Sequence, residues 1–284
     1  MNRQWAFIDT GLNDAAINMA FDECLINWHS EGKIPPTLRF YGWSDPSLSV
    51  GHFQKVENKI DFEAIERHHC KFVRRLTGGS AVLHDDELTY SLVISESDPG
   101  IPKSVQEAYH ILSKGVLEGY KNLDIPAEFE MEKSREKGRT AICFEKPAIY
   151  EMVVDGKKLS GNAQTRKKGV LLQHGSLPRS INTTMLFDLF QFSSEKLRER
   201  QRRGFSRKAI TIDQLTDRKI DNEMLKKAFK DGFIKGLDIN LHPLKLSEDD
   251  WNEVKVLAKT KYDTRGTSLY KERAEVGKTG RVHS

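Results

Sequence analysis

Apolar residues recur along this chain with two different periods, and the switch between them is its first organising feature. Trp5 to Ile8 reads as a short strand, and Ile17, Phe21, Leu25 and Trp28 then fall on one face of a helix over residues 15–30. Pro35 and Pro36 close that unit. Leu38, Phe40 and Trp43, then Leu48 and Val50, predict two strands on either side of the turn Ser44-Asp45-Pro46-Ser47. Asp61 caps a short helix reaching His69, and Phe72 to Leu76 forms a strand that runs into Thr77-Gly78-Gly79-Ser80. Leu88, Tyr90, Leu92 and Ile94 alternate with Thr89, Ser91, Val93 and Ser95, the period of a strand. Ser104 and Glu107 have capping-box spacing and open a helix with Val105, Ala108, Leu112, Val116 and Tyr120 along one side.

The clearest hairpin runs from Ile149 to Val154, through Asp155-Gly156, and back from Lys157 to Gln164, because Asp-Gly favours a two-residue turn. Val170 to Leu177 adds a strand after the turn Arg166-Lys167-Lys168-Gly169. From Thr183 onward the period is helical: Leu225, Phe229 and Phe233 form a stripe, and Ser247 with Asp250 caps a last helix bearing Trp251, Val254 and Ala258. The fold class is therefore α+β. The expected organisation is a catalytic domain over residues 1–245, a C-terminal helix over 246–262, and a disordered polar tail over 263–284.

Composition narrows the class without naming it. Apolar residues make up 38% and charged residues 30%, which suits a soluble globular protein with a core. No apolar run is long enough for a membrane span and no secretory signal opens the chain, so a cytoplasmic location and no membrane partner are expected. The net charge of +4 decides little. Its distribution matters more, because Lys196, Arg198, Arg200, Arg202, Arg203, Arg207 and Lys208 crowd one stretch, either a solvated helix face or a landing surface for an acidic partner. A nucleic-acid-binding module would need interleaved aromatics and a stronger charge. No nucleic-acid partner is expected.

Cys24, Cys70 and Cys143 fit neither a disulfide framework nor a zinc site, so no metal is expected. Cys24 reads as a core residue. Cys70 follows His68-His69 without a second ligand pair. Cys143 lies after the charged stretch Glu132 to Arg139, expected to be a surface loop, and is either a buried inert thiol or a nucleophile. Lys158 follows it by fifteen residues, and in an alternating strand it shares a face with Ser160 and Asn162, facing either solvent or a site. Arg74-Arg75-Leu76-Thr77-Gly78-Gly79 with His84-Asp85 reads as a hairpin turn or as a loop whose backbone N–H groups approach a ligand.

Arg-Arg-x-Thr-Gly-Gly followed by His-Asp, and then Asp-Gly-Lys-Lys-Leu-Ser-Gly-Asn-Ala, resembles in order and spacing the biotin/lipoate protein ligase and transferase superfamily. The resemblance extends from about Trp5 to about Tyr262. It implies a mixed β-sheet flanked by helices, related to the class II synthetase core, with a helical C-terminal extension. ATP-dependent lipoate ligases typically carry an Asn-Asp pair after Gly-Arg where this chain reads Thr140-Ala141-Ile142-Cys143-Phe144, and Ser80 interrupts their triple glycine. The chain is more similar to the octanoyltransferases of Bacillus-type lipoate assembly, on Phe40-Tyr41-Gly42-Trp43, Val73-Arg74-Arg75, Gln173-His174-Gly175-Ser176 and Leu186-Phe187-Asp188-Leu189-Phe190.

That resemblance implies a donor, octanoyl-acyl carrier protein, and an acceptor lysine on a lipoyl domain or the glycine-cleavage H protein, with no cofactor. Cys143 and Lys158 become the catalytic pair. Arg74, Arg75, Gly78, Gly79, His84, Gly161 and Asn162 become candidates for shaping the acyl pocket, holding the loop or stabilising the oxyanion. An amidotransferase taking octanoate from H protein and an ATP-dependent lipoate ligase are the rival activities.

Overall fold

The computed structural model describes residues 3–131 and 150–263. Cys143, the 132–139 stretch and the tail from 264 onward lie outside them.

In chain order the elements begin β1 (Arg3–Asn13), α1 (Ala15–Ser30), β2 (Thr37–Trp43), β3 (Ser47–Val50), α2 (Phe62–Arg67) and β4 (Lys71–Arg74). There follow β5 (Val82–His84), β6 (Glu87–Ser95), α3 (Val105–Lys121), β7 (Glu128–Phe129), β8 (Met152–Val154) and β9 (Lys157–Lys158). The chain ends β10 (Gly161–Lys167), β11 (Val170–Pro178), α4 (Thr183–Asp188), α5 (Glu195–Phe205), α6 (Asn222–Leu237), β12 (Ile239–Pro243) and α7 (Glu248–Leu257).

Local chemistry accounts for many of these ends. Asp14, Asp61, Ser104 and Ser247 each accept a hydrogen bond from a backbone N–H of the helix they precede, satisfying donors the first turn leaves open. Asp155 and Gly156 both adopt positive φ, 50° and 71°, as the tight β8–β9 turn requires.

Six strands form the main sheet in the order β10-β11-β6-β2-β1-β12, antiparallel from β10 to β2 and parallel from β2 to β12. A mixed sheet flanked by helices is what the sequence reading expected. Helices α3 and α6 cover one face through Leu112, Val116, Tyr120, Phe229 and Phe233. Helix α1 covers the other, with Phe21, Leu25 and Trp28. Helix α7 packs on α1, where Trp251 meets Phe21 at 5.3 Å and the Trp28 indole donates to Glu253 at 2.8 Å. A smaller sheet, β4-β3-β5, forms a third core with α2, α4 and α5 around Leu48, Val50, Phe187 and Phe205.

Three local expectations need correction. β12 was not foreseen in the last third; it pairs parallel with β1, Arg3 opposite Ile239, because five residues with Asn240, His242 and Pro243 carry little strand signal. Val105 leaves the apolar side assigned to it and is 56% exposed, since it occupies the first turn of α3 at the edge of a pocket. The strand after Asp155-Gly156 does not run unbroken to Gln164. β9 stops at Lys158 and the chain crosses at Leu159-Ser160 into β10 of the main sheet, so residues 158 to 161 are all buried and the alternation fails there.

Candidate active site

Between the two sheets lies a cavity of about 340 Å³. Met19, Val82, Val105 and Ala163 make part of its wall apolar, and Tyr41, Trp43 and Tyr109 add aromatic rings. Arg75, Gly78, Gly79, His84, Gly161 and Asn162 all line it. Six candidates scattered over almost ninety residues thus meet at one place, because β3, β5, β6, β10 and β11 converge there.

Arg75 is the hub of one side. Its Nε–H donates to Thr77 Oγ1 at 3.2 Å, and Nη1 donates to Ser49 O and Ser49 Oγ, both at 3.1 Å. Nη2 donates to Gly78 O and Ser80 O, both at 2.8 Å. Those contacts engage all five donors of a guanidinium, so Arg75 holds the glycine loop. Gly79 has φ 98°, and a Cβ on Gly51 would stand 2.1 Å from Gly79 O, so the loop lies directly on the chain after β3. Arg74 points elsewhere. Its Nη1 donates to Gly51 O, His52 O and Gln54 O, and it is not among the residues lining the cavity.

Two hydroxyl–histidine–carboxylate chains leave this hub. Ser49 Oγ lies 2.7 Å from His84 Nε2, and His84 Nδ1 lies 2.8 Å from Glu87 Oε1. Thr77 Oγ1 lies 2.7 Å from His174 Nε2, and His174 Nδ1 lies 3.0 Å from Asp22 Oδ2. Each hydroxyl also accepts from Arg75, and the second ring nitrogen of each histidine faces a carboxylate. Burial pushes the Asp22 carboxyl up, but the His174 hydrogen bond and the Arg39 charge outweigh it and hold Asp22 below its ordinary value. Burial lowers His174 below its ordinary value, opposed by Asp22, so the ring is neutral at pH 7. The His84 ring stacks on Trp43 at 4.0 Å.

The opposite side carries Lys158. Its side chain is 1% exposed, so the solvent-facing reading is corrected, and its Nζ pairs with Glu151 Oε2 at 2.7 Å. Glu151 lines the cavity, whereas Lys158 stands behind it. A lysine buried this deeply as an ammonium needs such a countercharge. The backbone of Lys158 is clamped as well: its N–H donates to Lys208 O at 2.8 Å and its carbonyl accepts from Ile210 N at 3.0 Å. Asn162 is fixed between two tyrosines, accepting from Tyr90 at 2.9 Å and donating to Tyr109 at 3.2 Å.

Cys24 and Cys70, by contrast, are pushed up to about 12 by burial and are protonated at neutral pH. Among the described residues no cluster of three or more His, Cys, Asp or Glu is disposed to hold a metal, and no helix is long and apolar enough to cross a membrane. The segment bearing Cys143 leaves and returns at one point, for Glu130 and Tyr150 are joined by a 2.7 Å backbone hydrogen bond.

Glu151, Ser49, Glu87 and Asp22 were not singled out from the sequence. Ser49 and Glu151 line the cavity, whereas Glu87 and Asp22 reach it only through His84 and His174.

The lipoyl protein ligase A/B catalytic domain matches residues 14–234. The chain is 53% identical over 266 residues to the octanoyltransferase LipM of Halalkalibacterium halodurans, covering 92% of this chain and 96% of that one. It is 49% identical over 264 residues to the octanoyltransferase LipM of Bacillus subtilis, covering 91% and 95%. Among solved structures it resembles a bipartite lipoate protein ligase of Thermoplasma acidophilum, with TM-score 0.74 and 20% identity over 93% and 95% of the two chains. A lipoate-protein ligase A bound with ATP gives TM-score 0.71 and 22% identity over 92% and 96%. These two likenesses concern the fold.

Proposed function

Because this chain belongs to the lipoyl protein ligase A/B catalytic domain family, we propose that it transfers an octanoyl group from a carrier-protein thioester to a lysine of a lipoyl domain or the glycine-cleavage H protein. The observation that carries the reading is the buried Lys158–Glu151 pair at the wall of a small, partly apolar cavity. At about 340 Å³ that cavity lies near the lower end of the roughly 300–1,000 Å³ usual for small-molecule sites. Half-identity to octanoyltransferases over nearly the whole chain supports octanoyl as the acyl group.

Of the three cysteines, Cys143 is the nucleophile. It precedes Tyr150 by seven residues, a reach of up to about 25 Å, so chain length permits it to meet Lys158. Its thiolate attacks the thioester carbonyl, the carrier thiolate leaves and is protonated, and an octanoyl-enzyme thioester forms. The acceptor amine then attacks that thioester, loses a proton as the amide forms, and expels the Cys143 thiolate. Lys158 as an ammonium favours the thiolate form of Cys143 and passes protons between the two half-reactions. Glu151 keeps Lys158 aimed through a charge-assisted hydrogen bond. Backbone N–H groups of Gly78-Gly79 or Gly161-Asn162 serve the oxyanion.

Thioester exchange is nearly neutral and amide formation from a thioester is downhill, so the reaction needs no ATP. Purified enzyme, octanoyl-carrier protein and a lipoyl domain, mixed without ATP, should yield octanoylated lipoyl domain. Product formed only from free octanoate and ATP would assign the chain to the ligases instead. Product formed only from octanoyl-H protein would assign it to the amidotransferases.

A further inference from the structure

Lys196, Arg200, Arg203 and Arg207 follow one another at spacings of four, three and four residues along α5 and the turn after it. At about 100° per residue they fall within an arc of roughly 60°, and they span about 16 Å. All four are exposed. The remaining arginines of the run turn aside. Arg198 pairs with Glu195 at 2.6 Å and lies over the Phe192 ring. Arg202 pairs with Glu199 and donates to Thr184, both at 2.8 Å. The helix's two acids are therefore occupied by the off-stripe arginines, and the stripe keeps its charge. Phe205, buried edge-on against Phe187, anchors the helix.

The stripe also leads somewhere. The residues after Arg207 form a parallel bridge with Lys158, centred on Ala209. Paired strands lie about 4.8 Å apart, so the chain two residues beyond Arg207 runs one strand-width from the backbone of Lys158.

We propose that this stripe is the docking surface for the acidic protein that delivers the acyl thioester, an inference that rests on the acyl-transfer reading above. Charge selects the donor over the acceptor. A carrier presents its acyl group on a phosphate-bearing arm, so what it brings to the site is anionic. The acceptor brings a lysine, which a cationic row beside Lys158 opposes. Opposite charge at such a rim steers encounter and sets orientation, an effect that weakens as salt shortens its range.

The test is single-turnover acylation by octanoyl-carrier protein, followed by intact mass at several ionic strengths. In Arg200→Glu/Arg203→Glu/Arg207→Glu the half-saturating donor concentration should rise about tenfold or more, with the salt dependence of the wild type flattened. The Arg→Lys triple variant should keep the wild-type value. Octanoyl-N-acetylcysteamine, which has neither protein nor phosphate, reports whether the site is intact, and its acylation rate should change far less. If the triple reversal misfolds, Arg203→Gln/Arg207→Gln should still raise half-saturation about threefold. Unchanged half-saturation in a folded variant overturns the docking surface, as does a defect confined to transfer onto the lipoyl domain. Wild-type enzyme that takes no acyl group from either thioester overturns the acyl-transfer reading itself, a separate result.

Discussion

On one side of the pocket Arg75 donates to five acceptors, and two histidine–carboxylate chains run from its partners into the sheets. On the other, Lys158 sits on a two-residue strand beside a tight turn, with Glu151 at its Nζ and the segment after α5, Lys208 to Ile210, along its backbone. The first side is built from segments up to 152 residues apart in sequence and is largely buried, with His84 and the Gly78-Gly79 loop bordering the cavity. The second is assembled from short local pieces that adjoin the segment carrying Cys143 and the exposed cations of α5. Under the proposed reading the contrast separates two tasks: the Arg75 side would fix where the substrate lies, and the Lys158 side would meet what arrives.

Two large effects of similar size should come from breaking each side at its charged centre. Arg75→Met leaves Ser49, Thr77, Gly78 and Ser80 without their donor, so the folded state should lose about 3 kcal/mol or more in denaturant unfolding. A loss under about 1 kcal/mol would remove Arg75 as the hub. On the second side, Lys158→Met strands the Glu151 carboxylate in the interior and should cost about 3–5 kcal/mol. The double variant Lys158→Met/Glu151→Leu should regain most of that stability and still fail to transfer octanoate. If the double variant were active, the pair would be structural only.

Smaller effects sharpen the difference between the two chains leaving Arg75. Thr77→Val preserves shape but strands the His174 ring nitrogen and should cost about 1–3 kcal/mol; Ser49→Ala, beside a His84 that borders the cavity, should cost less because water can replace the hydroxyl. Equal losses would mean the cavity side is as dry as the interior. The smallest effect is with pH. His174 is lowered in the folded protein, so between its folded value and about 6.5 the unfolded chain binds more protons. Stability should therefore fall as pH drops from about 6.5 toward 5.5, and His174→Gln should flatten that part of the urea-midpoint profile. A wild-type midpoint that rises with acid would contradict a neutral buried His174.

Local signals were legible in the sequence. Asp61, Ser104 and Ser247 mark helix starts, the Asp155-Gly156 turn is where its dipeptide puts it, and the Gly78-Gly79 loop faces a cavity. What escaped the sequence is what only tertiary packing creates. Lys158 on a polar-looking strand reads as solvated, until the chain crosses between sheets at Leu159-Ser160 and buries it. Glu151 lies within the predicted hairpin, but the residue pattern alone does not show that it is buried against Lys158. The cationic run is visible as a count, but helix geometry sorts it: Arg198 and Arg202 pair internally, leaving Lys196, Arg200, Arg203 and Arg207 as the outward row.

The central claim is that the acyl group passes through Cys143, and intact mass spectrometry reads it directly. After incubation with octanoyl-carrier protein and no acceptor, the wild-type chain should gain the mass of one octanoyl group, located by peptide mapping to Cys143, and Cys143→Ala should gain none. An adduct of undiminished yield on the Cys143→Ala chain would contradict the account.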